Sequence, residues 1–295
     1  MAKVIAVANQ KGGVGKTALA SNLSVGLAMN DKKVLVIDAD PQGNLTSSLG
    51  IDNADELENT LASFIEREIN EDPIDPAEYI LHNDEGVDLM PCNIKLAGMD
   101  YMIMNALSRE HLLDAFVSSV RDEYDYILID CSPSLNLVTI NVLTTADSVI
   151  IPVEASYLSM AGLQQLLASI GSTKRKLNRK LEVEGIVINK VNTRTNHEKD
   201  IIEKLREAYG SQIKVFDVMI PESVRAKECT AYGHSIYKHD PNTEITYTVA
   251  ECGEFHSILF WRNADSHRAC TGGNRIPGKD KVCKVLQSAG ADCTF

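Results

Sequence analysis

Residues 9–17 read NQKGGVGKT and connect a short apolar run to a segment with helical spacing. Glycines in such a loop let the backbone turn tightly and bring its N–H groups close to phosphate oxygens. The helix that follows adds the positive end of its dipole. A lysine at the end of the loop supplies charge for the β- and γ-phosphates, and the next hydroxyl can ligate Mg²⁺. The residues with these roles are Gly12, Gly13, Gly15, Lys16 and Thr17. They predict a P-loop that binds a nucleoside triphosphate.

Two further apolar runs end in acidic residues. Residues 34–37 are followed by Asp38 and Asp40, and residues 126–129 are followed by Asp130. The carboxyl ends of parallel strands meet at the sheet edge where ligands bind, so these carboxylates are expected beside the loop. Asp130 can hold the water shell of Mg²⁺. A plain turn rich in Asp, Pro and Gly is the alternative interpretation of the segment after Asp38.

Strand and helix patterns alternate along the chain, which predicts a three-layer α/β P-loop NTPase with a mainly parallel twisted sheet. The apolar runs are continuous rather than alternating, as expected of strands that are covered on both faces. Further strands are expected at 87–91, 148–153 and 184–189, and helices at 57–69, 76–81, 96–107, 109–120 and 159–170.

Composition limits the class of protein. The 295 residues carry a formal net charge of −12, which argues against a globally basic nucleic-acid binder but not against a local basic patch. Residues 52–78 hold ten acidic residues against Arg67 alone, which fits a solvated helical face or a docking surface for a basic peptide. No signal peptide or membrane span is expected. Seven cysteines without a tight spacing pattern favour reduced thiols in the cytosol.

A second lysine, Lys11, opens the loop. The form Lys-Gly-Gly-Val-Gly-Lys-Thr resembles the deviant Walker A motif of the ParA/MinD/nitrogenase-iron-protein group of ATPases. The resemblance implies an ATP-dependent homodimer in which Lys11 reaches across the interface to the nucleotide of the partner. It also implies that Lys11 and Lys16 act in catalysis. The nucleotide-binding residues that it implies are Lys11, Gly12, Gly13, Val14, Gly15, Lys16, Thr17 and Ala18.

The strand ends extend this resemblance. Residues 38–44, DADPQGN, resemble the ParA-family switch segment, which implies that Asp40 orients the attacking water and that Asp38 belongs to the magnesium surroundings. Residues 130–135, DCSPSL, are similar to the second switch of the family, with Ser132 in place of a proline. Cys131 is interpreted as a small buried residue rather than a nucleophile. Together, the motifs and the resemblance predict a magnesium site formed by Thr17, Asp38 and Asp130.

Later segments supply further expectations. By the same resemblance, Asn189 and Pro221 line an adenine pocket. Arg194 and Arg225 correspond to arginines that hold nonspecific DNA in ParA/Soj proteins, and each has a surface ion pair as its alternative. The resemblance covers residues 2 to about 242, so residues 1–242 are expected to form the ATPase domain. Residues 243–295 hold four of the seven cysteines and the only tryptophan, and are read as an atypical tail.

These features resemble a ParA/Soj partition ATPase that uses ATP and Mg²⁺. The resemblance implies a homodimer that binds nonspecific double-stranded DNA, a ParB-like centromere-binding partner, and a cytoplasmic, nucleoid-associated location. Plasmid and chromosome cargo both remain open. One alternative is a MinD-like regulator of division that cycles on a membrane, which needs a C-terminal basic amphipathic helix. Others are an iron–sulfur reductase with interface cysteines and a nucleotide binder without a working cycle.

Overall fold

The computed structural model describes residues 1–192 and 196–241, with the backbone alone at 157–161 and 196–197. Within these ranges, eight strands form one sheet. The strands are β1 Lys3–Val7, β2 Val34–Ala39, β3 Leu81–His82, β4 Asp88–Met90, β5 Tyr126–Cys131, β6 Ser148–Glu154, β7 Glu182–Val191 and β8 Val215–Pro221. The helices are α1 Lys16–Ala28, α2 Asn44–Ser48, α3 Leu61–Ile69, α4 Met99–Asn105, α5 Leu112–Val120, α6 Leu137–Thr145, α7 Tyr157–Lys176, α8 Asn196–Tyr209, α9 Val224–Tyr232 and α10 Ile236–His239.

The strand order is β3-β4-β2-β5-β1-β6-β7-β8. All neighbouring pairs among the described strands are parallel except β3 with β4. Strand β1 lies between β5 and β6, so the loop that follows it opens at the middle of the carboxyl edge. The predicted mainly parallel α/β sheet is confirmed.

Successive side chains along a strand point to opposite faces of the sheet and pack into two separate hydrophobic cores. On β1, Val4 and Ala6 belong to the core beneath α3 to α8, whereas Ile5 and Val7 belong to the core beneath α1, α2, α9 and α10. Because helices cover both faces, every residue of such a strand must be apolar. This is the physical reason for the continuous apolar runs, and it confirms the three layers.

Several predicted helix boundaries were wrong. Helix α3 begins at Leu61 rather than at 57, because Thr60 and Ser63 cap its first turn reciprocally. The expected helix at 96–107 is a 3₁₀ turn, Ile94–Gly98, followed by α4, and the one at 109–120 begins only at Leu112. The segment at 76–81 is a short 3₁₀ turn, Pro76–Tyr79.

Two sequence-based expectations fall on parts of the chain without a structural description. The tail at 243–295 and the predicted DNA contact Arg194 both lie outside the described residues. In the ranges that are described, no helix is both long and apolar enough to cross a bilayer.

Candidate active site

The glycine-rich loop connects β1 to α1 at the carboxyl edge of the sheet. Asn9 anchors its start, since its Nδ2 donates to the Pro152 carbonyl at 2.7 Å and its Oδ1 accepts from the Lys11 N–H at 2.9 Å. Gly13 and Gly15 have φ angles of +76° and +87°, a region that favours glycine. Helix α1 begins directly after Gly15 and has no acidic residue in its first turn. No acidic side chain of its own first turn therefore offsets the positive end that faces the loop.

The two sides of the loop differ in packing. A Cβ added at Gly12 or Gly13 would meet no atom within 4 Å, so this side of the loop borders open space. A Cβ at Gly15 would lie 2.3 Å from Asn189 Nδ2, so the end of β7 packs directly against the loop. The loop thus has one free face for a ligand and one face fixed by the protein.

Behind the loop, a hydroxyl and a carboxylate are joined. Thr17 Oγ1 donates to Asp130 Oδ2 at 2.6 Å. Asp130 Oδ1 is buried and accepts no hydrogen bond from the described part of the chain. Burial and the charge of Asp38 raise the pKa of Asp130 well above its usual value, against the hydrogen bond from Thr17 and the attraction of Lys16. The carboxylate form of Asp130 therefore needs a further positive partner.

Asp38 organises the neighbouring switch segment. Its Oδ2 accepts from the Thr46 N–H at 2.9 Å and from Thr46 Oγ1 at 2.7 Å, and its Oδ1 accepts from the Asp40 N–H at 3.1 Å. Thr46 Oγ1 in turn accepts from the Cys92 N–H at 3.0 Å. Burial raises the pKa of Asp38 to about 6 despite these donors.

These groups fit a divalent cation. Asp38 and Asp130 stand opposite each other in the register of β2 and β5. With the Thr17 hydroxyl they provide an all-oxygen donor set that includes the unpartnered Oδ1 of Asp130. The described residues hold no group of three or more His, Cys, Asp or Glu that could bind a metal alone. Mg²⁺ suits such a site, because it binds through one or two carboxylates together with substrate phosphates and water.

The first switch places Asp40 at the mouth of the site. The residue is 7% exposed, and its Oδ1 accepts from the Gln42 N–H at 3.0 Å. In the second switch, Ser132 Oγ lies 3.0 Å from Ser134 Oγ, so the serine that replaces proline is part of a local hydroxyl pair. Cys131 is fully buried and burial raises the pKa of its thiol far above the usual range, which matches the predicted packing role.

A cavity of about 580 Å³ extends from the loop to the ends of β7 and β8. This volume lies in the range of small-molecule sites. Its lining includes the sequence-predicted residues Gly12, Gly13, Gly15, Lys16, Thr17, Ala18, Asp40, Asn189 and Pro221. Both predicted adenine-pocket residues thus face the same cavity as the loop. The amide of Asn189 is already engaged, since Nδ2 donates to the Val14 carbonyl at 2.8 Å.

Lys11 is held within its own chain. Its Nζ lies 2.6 Å from Glu154 Oε2, at the end of β6, and 3.0 Å from Ser156 Oγ. The predicted reach of Lys11 into a partner subunit therefore stays a prediction, and it requires this side chain to change partners.

Arg225 lies at the start of α9, next to residues that line the cavity. It is 60% exposed, with Glu228 at 3.3 Å and Asp240 at 3.5 Å. Arg225 thus takes part in ion pairs, and its role as a DNA contact stays a prediction. Glu222, close by, pairs with Lys227 at 2.9 Å.

Three residues of the site were not predicted from the sequence: Glu154, Lys190 and Thr46. Glu154 ends the apolar run of β6. It could have been predicted in the same way as Asp130, as an acidic residue at the end of a buried strand. Lys190 Nζ donates to the Gly13 carbonyl across 177 positions, and no local pattern marks it. Thr46 lies in the short helix α2, and no sequence pattern marks its hydroxyl as part of the site.

A glycine-rich loop follows β1, and acidic residues lie opposite each other on β2 and β5. This combination defines a P-loop nucleotide hydrolase. The model of the AAA domain family matches residues 2–183. The sporulation initiation inhibitor protein Soj of Bacillus subtilis is 40% identical over 247 residues, 82% of this chain and 93% of Soj. The chromosome partitioning protein ParA of Myxococcus xanthus is 38% identical over 240 residues, 81% of this chain and 82% of that protein.

Among solved structures, cobyrinic acid a,c-diamide synthase from Mycobacterium smegmatis, with a bound ATP analog and magnesium, superposes with a TM-score of 0.76. It is 29% identical and the match covers 92% of this chain and all of that one. The chain belongs to the Soj/ParA family of partition ATPases.

Proposed function

We propose that this ATPase moves DNA cargo, either a plasmid or a chromosome. In this proposal an ATP-bound homodimer holds nonspecific double-stranded DNA, and a ParB-like centromere-binding partner stimulates hydrolysis and release. The similarity to Soj and ParA supports partition as the task. The observation that carries the nucleotide cycle is the convergence of Lys16, Thr17, Asp40 and Asp130 at one edge of the sheet beside one cavity.

ATP and Mg²⁺ are the cofactors that the site fits. The loop N–H groups and the ammonium of Lys16 bind the phosphates, and the base extends toward Asn189 and Pro221. Bound Mg²⁺ supplies positive charge beside the phosphate oxygens. Thr17, Asp130 and Asp38 are the residues that would hold it, directly or through water.

Hydrolysis is attack of water on the γ-phosphorus. Oδ1 of Asp40 is held by the Gln42 N–H, which leaves Oδ2 to accept a hydrogen bond from the attacking water and to orient it. Lys16, and Lys11 once the dimer has formed, stabilise the charge that develops on the phosphate oxygens. The chemistry thus relies on positioning and electrostatics rather than on a covalent intermediate.

Dimerisation would couple the binding of ATP to the binding of DNA. Each subunit offers Arg225 and Arg194, and pairing two subunits doubles the number of phosphate contacts and of counterions released. Such contacts bind without reading sequence. This arrangement predicts a cytoplasmic protein that is associated with the nucleoid while it holds ATP.

We assign this cycle to residues 1–242 as the ATPase domain and treat 243–295 as a separate tail. The MinD-like alternative requires a basic amphipathic helix at the C-terminus, a region outside the described residues. No observation on the described part of the chain favours it over partition.

The test is binding of the full chain to nonspecific double-stranded DNA, followed by fluorescence anisotropy with ATP, ADP or no nucleotide at two salt concentrations. We expect binding with ATP only, weaker at higher salt, and lost in Arg225→Ala and Arg194→Ala. The matched control is Arg67→Ala, an exposed arginine on α3, which should bind as the unaltered chain does.

Binding that is absent although ATP occupancy and dimerisation are confirmed would contradict the DNA-carrier role. Binding that does not depend on nucleotide would contradict the coupling. Equal losses in Arg67→Ala and Arg225→Ala would indicate a general charge effect rather than a DNA-contacting surface.

A further inference from the structure

The end of β7 bonds directly to the phosphate loop through two consecutive side chains. Asn189 Nδ2 donates to the Val14 carbonyl at 2.8 Å, and Lys190 Nζ donates to the Gly13 carbonyl. Consecutive donors on the strand therefore engage consecutive carbonyls of the loop. We call this pair of contacts the β7 clamp.

The direction of these carbonyls decides how the loop binds anions. A loop cradles phosphate only when its N–H groups point inward, and a carbonyl that turned inward would repel the phosphate oxygens. The β7 clamp gives the carbonyls of Gly13 and Val14 donors on the protein side. It thereby favours the orientation in which the neighbouring N–H groups face the cavity.

The backbone at the clamp is unusual. Lys190 has φ +57°, a left-handed conformation that is uncommon for residues other than glycine, and its N–H donates to Asn189 Oδ1 at 2.9 Å. Strained backbone of this kind persists where surrounding contacts enforce it and clusters at functional sites. Here it lets the side chains of Asn189 and Lys190 reach the same loop although they are adjacent in a strand.

The contact also explains the packing of Gly15. A Cβ at this position would lie 2.3 Å from Asn189 Nδ2, so only glycine lets the amide sit against the loop. Asn189 Nδ2 donates one of its two N–H groups to the Val14 carbonyl, and Oδ1 accepts from the Lys190 N–H. This arrangement gives Asn189 a role toward the loop in addition to its predicted place beside the adenine base.

We propose that Asn189 and Lys190 are positioning residues that hold the phosphate loop in its binding-competent shape before nucleotide arrives. The proposal rests on the proposed nucleotide site and deepens it. It assigns Lys190 a role in phosphate affinity without direct contact with the base.

The experiment compares Lys190→Met with Lys190→Arg in the full chain, with Mg²⁺ and ADP, ATP or GTP as probes in titration calorimetry. Lys190→Met keeps the hydrocarbon stem but loses the charged donor. Because the contact is exposed to water, ADP should bind about 3- to 10-fold more weakly, close to the range for an ordinary hydrogen bond rather than a buried charged one. Lys190→Arg should restore most of the affinity. Lys204→Met, an exposed lysine on α8, is the matched control and should bind normally.

A second variant separates positioning from stability. Lys190→Gly removes the Lys190 contact of the clamp and also the left-handed strain, so its melting temperature without nucleotide should be equal to or above that of the unaltered chain. Its affinity for ADP should nevertheless fall as in Lys190→Met. A purely structural role predicts that stability and affinity fall together.

Four outcomes would overturn the proposal. Normal ADP affinity in Lys190→Met, or no recovery in Lys190→Arg, excludes the clamp while leaving the nucleotide site intact. A change in the preference for ATP over GTP would instead place Lys190 at the base. If the unaltered chain binds none of the nucleotides, the nucleotide site itself is wrong, and this proposal fails with it.

Discussion

Lys11 Nζ lies 2.6 Å from Glu154 Oε2 in the same chain, and both side chains are about one third exposed. The lysine that family resemblance assigns to the partner's nucleotide is thus held at the end of β6 of its own subunit. For Lys11 to act across a dimer interface, this ion pair must open. If the proposed dimer forms with Lys11 at the partner's nucleotide, opening this ion pair is a cost of its formation.

We predict that Glu154→Gln strengthens the ATP-dependent dimer. A partly exposed ion pair is worth about 0.2–1 kcal/mol, so the dimer dissociation constant should fall by roughly 1.5- to 5-fold for each lysine released. Sedimentation equilibrium with ATP measures it. Glu182→Gln, an exposed glutamate at the start of β7, is the control. A weaker dimer in Glu154→Gln would mean that Glu154 serves the dimer rather than the monomer.

Asp40→Ala should separate binding from hydrolysis. Oδ1 of Asp40 accepts from the Gln42 N–H, and the side chain lies at the cavity rather than in the core. Loss of a group that orients the attacking water should lower kcat by about 10²–10⁴-fold. Affinity for ATP should change by less than about threefold, because no loop contact is removed. Steady-state turnover and nucleotide titration measure the two effects, and a parallel loss of both would contradict the assignment.

Magnesium binding should depend on pH. Burial raises the pKa of Asp38 to about 6, so the carboxyl carries a proton below this value and a cation must displace that proton. Affinity for Mg²⁺ with ADP should therefore increase as the pH rises through 6, and loss of the Asp38 proton alone should contribute about tenfold from pH 5 to pH 7. Titration of ADP with Mg²⁺ without protein corrects for protonation of the nucleotide. A corrected affinity that is independent of pH would exclude Asp38 from the magnesium surroundings.

The same glycine-to-alanine change should have opposite effects at two positions. At Gly15, with φ +87° and Asn189 Nδ2 at 2.3 Å from an added Cβ, alanine should cost about 1–3 kcal/mol of unfolding free energy and weaken nucleotide binding. At Gly162, inside α7, an added Cβ meets no atom within 4 Å. Alanine there should raise the free energy of unfolding by about 0.5–1 kcal/mol. Denaturant unfolding measures both. A stabilising Gly15→Ala would contradict the described packing of β7 on the loop.

The chemistry at strand ends could be predicted because its signals are local. The loop at 9–17 and the acids after 34–37 and 126–129 each carry their signal within a few residues, and a parallel sheet brings such ends together. The start of α3 was misplaced because capping by Thr60 outweighed the apolar spacing.

The contacts that hold the site could not be predicted in the same way. Glu154 meets Lys11 across 143 positions, and Lys190 meets Gly13 across 177. Such pairs follow from the three-dimensional strand order, which no short sequence window contains. A left-handed lysine also has no signature in sequence, because that conformation is imposed by its surroundings.

A short path of hydrogen bonds and backbone connects Asp38 to the protein surface. Asp38 accepts from the Thr46 hydroxyl, that hydroxyl accepts from the Cys92 N–H, and the Ile94 N–H two residues on donates to Asp55 at 3.3 Å. Asp55 belongs to the acidic stretch at 52–78. The internal charge and the outer face are thus separated by a single threonine side chain and a short piece of backbone. A substitution at Thr46 would therefore remove at once a donor to Asp38 and the acceptor of the Cys92 N–H.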